Sequence, residues 1–117
     1  MAGQHSLGRE GEDAALEYML SKGYSLIDRN RRIGRFELDL VLGRGRQIIV
    51  VEVKTRSVDI EDMNEVIGRE KLGNIREGAH RYMSAMKGDL DCRVDILFLE
   101  KNEDSFIVTH IEDAIGQ

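Results

Sequence analysis

The sequence predicts an α/β domain: a mixed β-sheet flanked by helices, with elements in the order α-β-β-β-α-β-β. Three observations carry that expectation. Two apolar, strand-like runs at 36–42 and 47–54 are joined by Gly43-Arg44-Gly45-Arg46, a turn composition. A segment with approximate helical periodicity, 61–87, separates the second run from a strong strand at Arg93–Glu100. Such a segment can cross over and set its flanking strands parallel, usually with a right-handed connection.

Taken in order, a first helix is expected from about Ser6 to Ser21, stopped by Gly23, since glycine is the usual residue just past a helix end. A strand follows around Tyr24–Asn30, then the hairpin of 35–42 and 47–54, then a loop at Thr55–Ile60. Met63, Val66, Ile67, Ile75, Tyr82, Met83 and Met86 give 61–87 its apolar face. Gly68, Gly73 and Gly78 weaken a single continuous helix there, because each costs about 1 kcal/mol in a helix interior. In the strand at 93–100, Val94, Ile96 and Phe98 share one face and Asp95, Leu97 and Leu99 the other. A turn at 101–104 leads to a last strand at Phe106–Ile111.

Length and composition narrow the class. The 117 residues fit one domain, 1–117, with 41% hydrophobic and 33% charged residues, as in a water-soluble globular fold. No apolar run approaches the roughly 20 residues of a membrane span. The start, Met1-Ala2-Gly3-Gln4-His5, lacks the basic and apolar regions of a signal peptide. One cysteine, Cys92, cannot form an internal disulfide, which points to the cytoplasm. There is no Cys/His cluster for structural zinc, and His5, His80 and His110 are too scattered to suggest a triad. The net charge of −5 argues against simple nucleic-acid binding, but it is uneven. Residues 1–56 carry a net +2 and residues 57–117 a net −7. Arginines 29, 31, 32, 35, 44, 46 and 56 gather near the hairpin, where a local basic rim can contact phosphates.

The hairpin also carries the residues best suited to chemistry. Alternation puts Glu37 and Asp39 on one face of the first strand, and Glu52 and Lys54 on one face of the second. If residue 41 pairs with 50, Asp39 faces Glu52 and Glu37 faces Lys54. Two adjacent carboxylates repel, a divalent cation relieves that repulsion, and a neighbouring lysine suits phosphate chemistry. The competing reading of Glu52 and Lys54 is a surface ion pair of little energetic weight. Glu12 lies on the same helical stripe as Ala15, Leu16 and Met19. An acid there needs a cation or donor, or else sits at a tolerant helix edge. Glu37 is either a third acid at the site or the partner of Lys54. Asp95, next to Arg93 in sequence register, reads as a structural ion-pair or capping residue. Lys71 reads as a surface residue that can reach this end of the sheet, and Cys92 as a packed residue beside a strand.

These residues sit in a longer pattern. Gly8-Arg9-Glu10-Gly11-Glu12, Ala15, Tyr18-Met19-Leu20 and Gly23-Tyr24 begin it. Arg29-Asn30-Arg31, Glu37-Leu38-Asp39-Leu40 and Val51-Glu52-Val53-Lys54-Thr55-Arg56 continue it. Glu65-Val66, Lys71, Arg93-Val94-Asp95-Ile96 and His110-Ile111-Glu112-Asp113-Ala114-Ile115 complete it. The pattern resembles the YraN-like family of small bacterial proteins, itself similar to the restriction-endonuclease-like PD-(D/E)xK superfamily and to archaeal Holliday-junction resolvases. The resemblance implies a restriction-endonuclease-like sheet and metal-dependent hydrolysis of DNA phosphodiester bonds, with branched DNA among the substrates. It assigns Asp39 and Glu52 as ligands of Mg²⁺ or Mn²⁺, Lys54 as the catalytic lysine and Glu12 as the helix acid completing the site. Arg31, Arg32 and Arg56 would hold flanking phosphates without reading sequence. Dimerisation as in the resolvases would let two sites cut paired strands. One departure is Phe36, where the family usually has the glycine of Gly-Glu-Ile-Asp; a bulky residue there alters strand curvature or backbone approach. The alternative is a nuclease-fold module that binds nucleic acid or protein without cleaving, and a third reading is a structural domain.

Overall fold

The computed structural model describes residues 3–57 and 68–115, with side chains from residue 7 onward. Its elements are α1 (Gly3–Ser21), β1 (Ser25–Ile33), β2 (Phe36–Arg44), β3 (Gln47–Ser57), α2 (Arg69–Ser84), β4 (Asp91–Asn102) and β5 (Ser105–Ile111). This is the expected α-β-β-β-α-β-β order. The five strands lie side by side in chain order, β1-β2-β3-β4-β5. The pairing of β3 with β4 is parallel and the other three pairings are antiparallel, so the sheet is mixed. α2 lies between the two parallel strands in sequence, as a crossover requires. No helix among the described residues is long and apolar enough to cross a membrane.

The two helices cover opposite faces. Ala15 and Met19 of α1 pack with Leu40, Leu42, Ile49, Val51, Leu97 and Leu99. Ile75, Ala79 and Tyr82 of α2 pack with Leu38, Val41, Ile48, Val50 and Val94. The run 48–51 is apolar on both faces because it is buried on both faces. Each large side chain so buried contributes roughly 1.5–3 kcal/mol. Helix α1 ends as its sequence predicts: Gly23 takes φ +97°, and its N–H donates to the Leu20 carbonyl at 3.0 Å.

Several boundaries differ from the sequence expectation. β3 continues through Ser57, so Thr55–Ser57 is strand rather than loop; its partner is the long β4, which pairs with it as far as Ser57 with Lys101. Parallel pairing to β4 supplies hydrogen bonds that local sequence does not encode. α2 accommodates Gly73 and Gly78, because tertiary packing outweighs propensity. A Cβ at Gly78 would lie 3.1 Å from Leu38 Cδ2 and 3.2 Å from Phe36 Cβ, so glycine allows the helix to approach β2 closely. Of the rest of the expected 61–87 helix, Gly68 and residues 85–87 are not helical, and residues 61–67 lie outside the described residues, as do residues 58–60 of the expected loop. Cys92 lies within β4 and is exposed, not packed.

Gly11 controls the seat of α1. A Cβ there would overlap the Thr55 side chain, lying 2.6 Å from its Cγ2, whereas a Cβ at Gly8 on the same helix would meet nothing within 4 Å. Gly11→Ala is therefore expected to destabilise by about 1–3 kcal/mol through overpacking. Gly8→Ala is expected to stabilise by up to about 1 kcal/mol through helix propensity. Urea denaturation of both variants checks the pair. Equal effects of one sign would show that α1 does not dock as described.

Candidate active site

The site forms where β2 parts from β3. Their ladder runs from Arg44–Gln47 through Val41–Val50, the expected register, to Leu40–Val51, and there it stops. The next pair would be Asp39 with Glu52. Instead the Val53 N–H donates to Asp39 Oδ2 at 2.9 Å, so a side chain takes over from the backbone ladder. Strict alternation would keep Leu38 and Leu40 on one face, yet Leu38 packs under α2 and Leu40 under α1. Asp39 sits at this change of face. Opposite it, between the pairs Arg29–Leu40 and Arg31–Leu38, Asn30 adopts φ +52°. Asparagine tolerates this left-handed conformation better than most residues.

Asp39, Glu52, Lys54 and Glu12, the four residues assigned catalytic roles from sequence, line one cavity of about 530 Å³ with Gly8, Val53, Thr55, Gly68 and Lys71. Glu52 is only 8% exposed. Burial first, then the neighbouring Asp39 carboxylate, pushes Glu52 up to about 7, against the pull of Lys71. Asp39 is also raised, by burial and by Glu12, with the Val53 N–H opposing. The pair is thus short of positive charge, and neutralises part of the excess by keeping a proton. Lys71 supplies part of the remainder, with Nζ 3.5 Å from Glu52 Oε2. It remains substantially exposed, so both halves of its sequence reading hold.

Glu12 is positioned from β1. Its Oε1 accepts from Arg29 Nε at 3.1 Å, and both its oxygens accept from Asn30 Nδ2, at 3.2 and 3.1 Å. The buried line of α1 runs through Gly11, Ala15 and Met19, and Glu12 lies just beside it with its side chain 19% exposed. This is the helix edge with donors that the sequence left as alternatives. The roles of Arg29 and Asn30 were not legible in advance. Their signal is the left-handed Asn30, which only the backbone reveals.

The arginines divide. Arg32 lines a separate cleft beside the cavity with Arg35, Phe36, Glu37, Lys71, Asn74 and Ile75. Glu37 therefore belongs to this cleft and does not join Asp39 and Glu52; the change of face at Asp39 separates them. Arg31 lies near Asp28, at 3.8 Å, and over the Tyr82 ring; Arg56 lies near Glu100, at 3.8 Å, and is mostly buried. Neither lines the cavity. Asp95 is a structural residue as expected. It is fully buried, accepts from Arg93 Nε and Nη2 at 2.8 Å each and from the Asp113 N–H at 3.0 Å, and lies 2.8 Å from His110 Nε2.

Among the described residues, no three His, Cys, Asp or Glu side chains form one metal-ligating group. The donor set is the carboxylate pair alone. Two hard oxygen donors with unbalanced negative charge fit a cation such as Mg²⁺, which commonly takes one or two protein carboxylates and otherwise waters or phosphate oxygens.

Residues 11–99 match the model of the uncharacterised protein family UPF0102. A UPF0102 protein of Parabacteroides distasonis is 38% identical over 115 residues, covering 97% of this chain and 95% of its own length. One from Prosthecochloris aestuarii is 37% identical over 118 residues, covering 94% and 93%. One from Phocaeicola vulgatus is 35% identical, covering 97% and 95%.

Proposed function

The chain belongs to the uncharacterised protein family UPF0102, and on that premise we propose that it is a metal-dependent endonuclease hydrolysing DNA phosphodiester bonds. The observation that carries this reading is the meeting of half-buried Asp39 and buried Glu52, short of positive charge, in one cavity with Lys54 and Glu12. Mg²⁺ or Mn²⁺ held by the two carboxylates would supply an acidified water and a polarised phosphate oxygen.

The chain's own residues have distinct tasks. Asp39, oriented by the Val53 N–H, presents its carboxylate at the mouth of the strand fork. Lys54 faces the cavity as a cation able to stabilise charge developing on the phosphate oxygens. Glu12, held by Arg29 and Asn30, orients the attacking water and accepts its proton. Lys71 offsets the Glu52 charge before substrate arrives. Gly68, the N-cap of α2, also borders the cavity and leaves the helix N-terminus without a side-chain cap, an arrangement that favours an approaching phosphate.

The test is metal-dependent cleavage of labelled linear, flapped and four-way DNA, with Asp39→Ala and Lys54→Ala alongside. Both substitutions are expected to reduce cleavage at least about a hundredfold. The preferred substrate would report whether branched DNA is the target. A second reading, a binding module without cleavage, is favoured by one observation: Lys71 already occupies the approach to Glu52. Absence of cutting by folded, metal-loaded protein on every substrate would select it, and a calorimetric Mn²⁺ titration would then decide whether a metal site exists.

A further inference from the structure

The cleft beside the cavity has its own chemistry. It measures about 260 Å³ and is walled by the β1–β2 turn on one side and α2 on the other. Arg32, Arg35 and Lys71 bring three cations to it against one carboxylate, Glu37, and Asn74 adds an amide. Among the described residues the Arg32 side chain has no ion-pair or hydrogen-bond partner, and it is exposed.

The walls are fixed by packing. Gly34 turns the chain with φ +59°, and the Arg35 and Arg81 guanidiniums lie 4.9 and 5.2 Å from the centre of the buried Phe36 ring. On α2, Lys71, Ile75 and Gly78 fall at i, i+4 and i+7, on one side of the helix. The close approach at Gly78 and the burial of Ile75 hold that side against β2. Lys71 therefore stands where cleft and cavity meet, and lines both.

We propose that this cleft is a phosphodiester subsite for a nucleic-acid strand, holding the phosphate adjacent to the one at Asp39 and Glu52, with Lys71 between the two. The identity of the ligand rests on the nuclease reading of the neighbouring cavity. A phosphate fits because planar guanidiniums pair with its oxygens in a forked geometry and lysine contributes a point charge. The bulky Phe36 has a place in the subsite: its ring lines the cleft and lies under the Arg35 guanidinium.

The experiment is fluorescence-anisotropy binding of a labelled single-stranded oligonucleotide to metal-free full-length protein across a salt series. Cleavage is scored separately with Mn²⁺. Arg32→Glu is expected to weaken binding about tenfold and to lower the salt slope by about 1. Glu37→Gln is expected to tighten binding a few-fold, and a gain cannot arise from misfolding. Unchanged affinity and slope in both variants would overturn the subsite. If both variants shift binding but the protein cuts no DNA, the subsite stands and the nuclease reading falls. If the protein cuts but neither variant shifts binding, the subsite falls alone.

Discussion

Glu52→Gln is expected to reduce metal-dependent cleavage at least about a hundredfold and yet make the metal-free protein more stable at pH 8. Both effects come from one group. Folding raises Glu52 from 4.5 to about 7, chiefly by burial and by the adjacent Asp39. Between those values the native protein keeps a proton that the unfolded chain has released. Stability therefore falls as pH rises from about 4.5 to about 7, and levels off above. The penalty at pH 8 amounts to about 3 kcal/mol for a shift of this size. Glutamine has no charge to bury, and its amide can donate to Asp39 as the protonated acid does, so it removes the penalty and flattens the pH dependence in that window. Urea denaturation from pH 4.5 to 8.5 measures this directly. Added Mn²⁺ is expected to raise the midpoint of the wild-type protein at pH 8 and to leave that of Glu52→Gln nearly unchanged. A variant that is less stable than wild type at pH 8 would mean that Lys71 satisfies Glu52 fully and that no charge is left for a cation to balance.

Asp95→Asn is expected to cost about 3–5 kcal/mol at neutral pH, a large share of the stability of a domain this size. Asp95 is 0% exposed and collects four contacts: two from Arg93, one from the Asp113 N–H and one from His110. Arg93 continues the network to the Tyr24 hydroxyl at 2.8 Å. Burial alone would raise this carboxyl. Arg93, the Asp113 N–H and His110 together outweigh burial and hold it below the ordinary carboxylate value. Its contribution is therefore fully present above the unfolded value and is lost as pH falls through the lower folded one. Asparagine keeps the shape but loses the charge and points a donor at Arg93, leaving a mostly buried guanidinium with only the Tyr24 hydroxyl and the more distant Glu112 carboxylate, at 3.9 Å. The residues after β5 should loosen first, because the Asp113 N–H is tied to the sheet through this side chain. Hydrogen exchange at Asp113 and Ala114 would report that loosening. A loss under 1 kcal/mol, or protection unchanged at those amides, would show that the backbone bond from the Ala114 N–H to the Val94 carbonyl, 2.7 Å long, suffices alone.

Much of this protein is legible in its sequence. The element order followed from apolar periodicity and from Gly23 and the Gly43–Arg46 turn, because each depends on neighbours in the chain. Once residue 41 is taken to pair with 50, the register the structure shows, counting along the two strands brings Asp39 towards Glu52, although the ladder itself stops one pair short, at Leu40–Val51. Asp95 was readable as structural because a lone acid among Val94, Ile96, Leu97 and Leu99 needs its neighbour Arg93.

Other features belong to the tertiary structure alone. The change of face between Leu38 and Leu40, which parts Glu37 from Asp39, breaks the alternation that local counting assumes. The extension of β3 to Ser57 depends on a parallel partner more than thirty residues away. The hold of Arg29 and Asn30 on Glu12 needs β1 and α1 to meet, and the hold of Lys71 on Glu52 needs α2 to dock. Sequence determined which residues could carry the chemistry, through residue type and spacing along single elements. Packing between elements decided which of them share a cavity, because distance across a fold is set by how the helices seat on the sheet and not by position in the chain.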